Sequence, residues 1–230
     1  MEVLGVVPAR GGSKSIPRKN LAPLAGKPLL AYTSDEALRS RELSRVILDT
    51  DDEEIAAAGR TLGVEVPFLR PPALARDETL IVDVLCHLLG RLDAVEGYRP
   101  DVVVLLQPTS PLRRAEHIDA AVRVLAERNA DTVVTVIPVP HQFNPVSVLQ
   151  VDEDGQLRPF LQGPLITRRQ DKPPVYARNG PAVLVMRREV LERGVLYGER
   201  VVALHMDAAD SVDIDGYEDL VLAEYLLSCR

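Results

Sequence analysis

Two runs of aliphatic residues, Val3 to Val7 and Val102 to Leu106, contain no polar position. A strand sends successive side chains to opposite faces of a sheet, so a run with no polar member has to be covered on both. That requirement selects a sheet with helices on each side. The segments between the runs supply them: Pro28 to Leu38 turns helical, Arg45 to Leu48 returns to strand, and Asp51 and Asp52 open a second helix through Glu53, Glu54 and Ile55. Leu80, Ile81, Val84, Leu85, Leu88, Leu89 and Leu92 recur at three- and four-residue spacing, which predicts a helix over 79–93, with Asp77 or Thr79 as its cap. Glu116 to Arg128 follows as a further helix. The fold class expected is α/β, a mostly parallel Rossmann-like sheet flanked by helices, with Val102 to Leu106 in its centre.

Beyond the strand expected over 132–139, the pattern changes. Val146 to Val151 and Leu157 to Leu161 flank Asp152-Glu153-Asp154-Gly155, a turn-forming cluster between apolar runs, and predict a hairpin inserted into the α/β order. Gly163 to Asn179 is rich in Pro, Arg and Gln without a period and reads as loop. Ala182 to Met186 and Val201 to Met206 resume strand character, and Tyr217 to Ser228 is helical. No internal repeat or linker divides the chain, so 1–230 is expected to be one domain with an insertion at about 140–178.

With 34 acidic against 27 basic residues the net charge is −7, which argues against nucleic acid or an anionic membrane as partner. Two cysteines are too few for a disulfide scaffold, the chain starts without a basic leader, and no apolar run approaches the roughly 18 residues of a membrane span. A cytoplasmic location is expected.

Against that negative balance one segment stands out. Arg10, Lys14, Arg18, Lys19 and Lys27 lie between Val3 and Ser34 with no Asp or Glu among them. Pro8 to Asn20 follows the first strand, and Gly11 and Gly12 allow close backbone approach to a bulky anion. The spacing is neither that of a Walker A loop nor of a dinucleotide fingerprint. A triphosphate cradle and a solvated basic turn both fit. Gln107-Pro108-Thr109-Ser110-Pro111-Leu112-Arg113 sits at the carboxyl end of the central strand, where open α/β sheets place ligands. Its amide, hydroxyls and guanidinium suit sugar hydroxyls and a carboxylate, or equally a braced turn. Asp213 and Asp215 flank Ile214, so both carboxylates share a side, as a hard divalent cation requires; capping the helix that follows is the alternative.

These segments, in this order, resemble the acylneuraminate cytidylyltransferases, the CMP-sialic acid synthetases. The resemblance takes in Pro8 to Asn20, Asp51 to Ala56, Arg70 to Asp77, Leu105 to Arg113, Arg169-Gln170, Asn179-Gly180 and Asp213 to Asp215. It implies a nucleotidyltransferase that joins CTP to a nonulosonic α-keto acid sugar, releases pyrophosphate and uses Mg²⁺. It assigns Arg10, Gly11, Gly12, Ser13, Lys14, Lys19, Asn20 and Arg70 to the nucleotide. Gln107, Thr109, Ser110, Arg113, Arg169, Gln170 and Asn179 go to the sugar, and Asp213 and Asp215 to the metal. Arg10, Lys14, Lys19, Asp213 and Asp215 form the expected catalytic set. It also implies a homodimer in which the hairpin, too small to bury its own apolar residues, packs on the other subunit. The rivals are a related enzyme using GTP with an amino sugar or CTP with 3-deoxy-manno-octulosonate, and a non-catalytic nucleotide-binding protein of the same fold. The chain departs from the family pattern at Ser15, at Asp49, and at Pro181-Ala182-Val183, where a changed sugar pocket is the expectation.

Overall fold

The computed structural model describes residues 1–163, 166 and 168–230. In chain order the strands are β1 (Val3–Pro8), the two-residue β2 (Pro23–Leu24) and β3 (Lys27–Pro28), β4 (Arg45–Asp49), β5 (Val102–Leu105), β6 (Thr132–Pro138), β7 (Leu149–Val151), β8 (Leu157–Pro159), β9 (Tyr176–Arg178), β10 (Leu184–Arg187) and β11 (Val201–His205). The helices are α1 (Leu29–Arg39), α2 (Glu53–Thr61), α3 (Ile81–Glu96), α4 (Ala115–Glu127), α5 (Arg188–Glu192) and α6 (Tyr217–Ser228).

The two apolar runs behave as their composition requires. Val3 and Val7 of β1, with Val102 and Val104 of β5, enter one core beneath α1, α2 and α4. Leu4, Val6, Val103 and Leu105 enter a second core beneath α3. A seven-stranded sheet runs in the order β11-β6-β10-β5-β1-β4, with β9 beside β6. β1, β4, β5, β6 and β11 point one way, and β9 and β10 oppose them. The fold is therefore the expected mostly parallel α/β sheet with β5 central.

Three expectations change. Neither Asp77 nor Thr79 caps α3, whose first residue follows Leu80 without a side-chain cap. The stretch expected as loop carries β9, paired antiparallel with β6; prolines hid it, as they can at a sheet edge. Residues 164, 165 and 167 of that stretch lie outside the described residues. The hairpin is shorter than predicted, because Val146 belongs to a 3₁₀ turn, and Asp152 closes it by accepting from the Gln156 amide at 2.8 Å and from Arg158 at 2.6 Å. Every residue of β7, β8 and β9 is exposed.

Candidate active site

The parallel strands β1, β4 and β5 end along one edge, and there a cleft of about 360 Å³ opens, lined by Arg10, Ser13, Lys19, Asn20, Arg70, Arg76, Asp77, Gln107 and Thr109 among others. A third core cluster explains why the loops meet at this edge. Ile16 of the basic loop, Leu112 of the proline-braced loop, Ile214 between the two aspartates and Ala223 of α6 are all buried in it. Three segments distant in sequence are thus anchored by one apolar residue each.

The basic loop is held by acids from outside it. The Gly11 amide donates to Asp51 at 3.0 Å, and a side chain at Gly11 would meet the Asp52 carboxylate at 2.6 Å, so glycine is required by contact. Asn20 donates to the Arg10 carbonyl at 3.0 Å. Arg18 pairs with Asp52 at 3.0 Å and Glu54 at 2.7 Å. Arg10 pairs with Asp77 at 2.6 Å, and Lys14 pairs with the same carboxylate, which Lys14 and Arg10 together hold below its ordinary range. Lys19 turns inward and donates to the Ile214 carbonyl at 2.7 Å, with Asp215 at 3.8 Å. The absence of acids within the segment is therefore no guide to its field, because the fold imports them. Gly12 has open space around it.

Arg70 is buried at the cleft wall. Its Nε donates to Asp49 Oδ2 at 2.8 Å and its Nη2 to the Asp49 carbonyl at 2.8 Å. The departure at Asp49 thus supplies a counterion for Arg70.

Gln107 and Thr109 line the cleft. Ser110 is 1% exposed and its hydroxyl has no partner among the described residues. Arg113 lies inside the protein rather than on the cleft wall: Nη1 donates to the Ala182 carbonyl at 2.7 Å and the Gln107 carbonyl at 3.2 Å, and Nη2 to Thr33 at 2.6 Å. Burial pushes its pKa down to about 9, which leaves it charged at neutral pH. Thr33, a partner that sequence reasoning missed, carried no signal beyond its place on α1.

Asp213 is half-buried beside Ser110 and Gly180, and its Oδ1 has no partner among the described residues. Burial raises its carboxyl; Thr109 opposes this and Asp215 adds to it. Capping of α6 falls to Asp219, which accepts from the Asp215 and Gly216 amides at 2.8 Å each. The two carboxylates of the pair are thereby left out of the cap. Asp210, a nearby acid, is taken up by Arg114 at 2.8 Å and by Arg230.

The remaining sugar candidates do not reach this cleft. Asn179 is 4% exposed; it accepts from Thr135 at 2.7 Å and donates to Ser211 at 2.8 Å. Arg169 and Gln170 lie in an exposed 3₁₀ turn, where Arg169 lines a separate hollow with His141, Lys172 and Tyr176. Ala182 and Val183 are 0% exposed, so the departure at Pro181-Ala182-Val183 falls largely in the core and not on the wall expected to face the sugar.

The donor set fits Mg²⁺. An orphaned carboxylate oxygen on Asp213 and the exposed carboxylate of Asp215 are hard ligands, and no cluster of three or more His, Cys, Asp or Glu suited to a metal occurs among the described residues. Magnesium commonly takes one or two carboxylates and fills its remaining positions with phosphate oxygens and water.

A mostly parallel α/β sheet with a cationic loop and a carboxylate pair at its strand ends defines a phosphate-handling nucleotidyltransferase type of site. Residues 4–207 match the family model described as cytidylyltransferase, and the chain belongs to that family. It is 34% identical to CMP-N,N'-diacetyllegionaminic acid synthase of Legionella pneumophila over 99% of this chain and 97% of that protein. It is 30% identical to an N-acylneuraminate cytidylyltransferase of Escherichia coli over 96% of this chain but 51% of that protein. Pseudaminic acid cytidylyltransferase of Campylobacter jejuni is 28% identical over 98% of this chain and 96% of its own length. Among solved structures, CMP:2-keto-3-deoxy-manno-octonic acid synthetase complexed with CTP shares the fold at a TM-score of 0.73 and 16% identity, covering 100% of this chain and 99% of that one. No helix among the described residues is long and apolar enough to cross a membrane.

Proposed function

We propose that this cytidylyltransferase is a CMP-nonulosonate synthetase: the anomeric hydroxyl of a nonulosonic acid attacks the α-phosphorus of CTP, the bond from that phosphorus to the β-phosphate oxygen breaks, and pyrophosphate leaves as the hydroxyl proton is lost. The observation that carries this reading is the cleft on which Arg10, Ser13 and Lys19 of the basic loop meet Gln107 and Thr109, with the underpaired Asp213 beside Gly180 and Ser110 and one core cluster anchoring all three segments. Phosphoryl-type transfer asks mainly for positioning and charge. Arg10, Lys14 and Lys19 meet the phosphates together with Gly11, Gly12 and Ser13, while Asn20 and Arg70 flank the nucleoside. Gln107, Thr109 and Ser110 hold the sugar. Arg113 and Asn179 serve that side by bracing the loop and the Gly180 turn from behind. Asp213 and Asp215 would hold Mg²⁺, which supplies neutralising charge at the phosphate oxygens when bound.

The reading extends to assembly and place. Phe143, Val151, Leu157 and Phe160 are 59–67% exposed on and around the hairpin, and a segment of that size cannot bury them itself. A second copy covers them in a homodimer, and Arg169 and Gln170, remote from their own cleft, approach the neighbour's. Sedimentation should show twice 25.3 kDa, and replacing residues 146–161 by a short Gly-Ser turn should give monomer. A parent chain that sediments as monomer at all concentrations sinks the dimer. Both cysteines are free, in keeping with a cytoplasmic enzyme supplied with CTP.

The activity is tested by incubating the protein and Mg²⁺ with each nucleoside triphosphate against a panel of nonulosonic acids, 3-deoxy-manno-octulosonate and amino sugars, and weighing the products. A CMP-nonulosonate with stoichiometric pyrophosphate is expected. Product only from octulosonate, only from GTP, or from no pair would overturn the reading.

A further inference from the structure

Two cations of the basic loop share one carboxylate that reaches them from across the cleft. Arg10 Nη1 donates to Asp77 Oδ1 at 2.6 Å, and Lys14 Nζ pairs with Asp77 Oδ2. Asp77 lies 67 residues beyond Arg10, on the segment before α3, and lines the same cleft as Arg10, Asn20 and Gln107. It does not cap α3, which starts without a side-chain cap. The other two cations of Pro8 to Asn20 are differently occupied, Arg18 by Asp52 and Glu54 and Lys19 by the Ile214 carbonyl. Arg10 and Lys14 are thus held by an anion standing in the cleft itself.

The exposure of this trio determines what the contact can do. The Lys14 side chain is 83% exposed, and those of Arg10 and Asp77 are 35% each. Ion pairs so open to water are individually weak and quickly exchanged. They are strong enough, taken together, to bias two cations that a phosphate chain would otherwise find free.

We propose that Asp77 is an affinity-setting residue, a resident carboxylate that competes with phosphate for Arg10 and Lys14. This rests on the CTP reading and deepens it. An anion that uses both cations must first displace Asp77, so its dissociation constant is raised by one common factor, whatever else the ligand carries. The consequence falls on both ends of the reaction. CTP retains affinity through its nucleoside, whereas pyrophosphate, which has no such anchor, is weakened to the point of leaving as Asp77 returns to its partners. Release of a tightly held product is a common limit on turnover.

The test is a binding titration of CTP, pyrophosphate and cytidine to the parent, Asp77→Asn and Asp77→Glu, without sugar and at fixed Mg²⁺. Asp77→Asn should tighten CTP and pyrophosphate by the same factor, about fivefold for two exposed pairs, and leave cytidine unchanged. Pyrophosphate should become a stronger product inhibitor by that factor. Asp77→Glu, which keeps the charge, should stay within about twofold of the parent. Unchanged or weaker binding of CTP and pyrophosphate to Asp77→Asn overturns the proposal, and so does a shift of cytidine along with them, which would mean a reshaped cleft. A parent protein that binds neither CTP nor cytidine overturns the nucleotide reading, and this inference with it. A parent that binds CTP while its variants match it overturns this inference alone.

Discussion

Lys14, paired with Asp77 of one cleft wall, is 83% exposed, while Ser110, next to Thr109 of another, is 1% exposed and its hydroxyl has no partner among the described residues. The two walls answer different demands. A flexible cation in water loses little when it changes partners, so the phosphate wall can exchange an internal acid for a ligand. A buried polar atom without a partner costs about 1–3 kcal/mol, and among the described residues the Ser110 hydroxyl and Asp213 Oδ1 both lack one. Their geometry is maintained by neighbours that make several bonds each: Arg113 through the Ala182 and Gln107 carbonyls and Thr33, with its Nε unpartnered among the described residues, and Asn179 through Thr135 and Ser211. One wall is adaptable and the other is set in advance.

That contrast can be broken most sharply at Asp213. Asp213→Asn should lower kcat/KM about 10²–10³-fold and raise the Mg²⁺ requirement, because the amide keeps the shape and removes a hard anionic ligand. It should melt no lower than the parent, since an amide in a half-buried seat avoids desolvating an anion. Asp215→Asn, at an exposed position, should act in the same direction and more weakly. Metal titrations that superimpose on the parent's in both variants would remove the pair from metal binding.

On the adaptable wall, Lys14→Ala or Arg10→Ala is expected to lower kcat/KM about 100-fold with the melting temperature unchanged. Turnover within a few-fold of the parent would show that the loop's charges do not face the phosphates. Arg113→Lys reads the support behind the fixed wall: lysine cannot reproduce the fork that reaches Ala182, Gln107 and Thr33 together, so stability should fall by about 2 kcal/mol. A denaturation midpoint equal to the parent's would reject the brace. The smallest effect is expected at Ser110, where alanine removes a hydroxyl that bonds nothing among the described residues. Stability should hold, and KM for the sugar should rise about tenfold at constant KM for CTP. A loss confined to CTP, or none, would move Ser110 out of the sugar site.

Much of the sheet was legible from local pattern. The runs at Val3 to Val7 and Val102 to Leu106 have to be buried on both faces, and in the fold their alternate residues do enter opposite cores. The strand-end loops were legible for a similar reason, since a Gly-rich basic stretch or a proline-braced polar one after an apolar strand has few places to go. The edge strand β9 was hidden, because its signal is pairing with β6 and its own composition is that of a loop.

The site divides along the same line. Residue type and spacing marked out Arg10, Lys14, Lys19, Gln107, Thr109, Asp213 and Asp215, and the fold brings them to one edge. Only the tertiary structure decided what each charge meets. Asp77 reaches Arg10 and Lys14 from the segment before α3, and Asp49 holds Arg70 across 21 residues. Arg113 turns inward to brace two loops, while Arg169 and Gln170 stay away from the cleft of their own chain. The physical reason is range. Hydrophobic periodicity and turn chemistry act between near neighbours in the chain and are written there, whereas a charge is paired by whatever the fold carries to within a few ångströms of it.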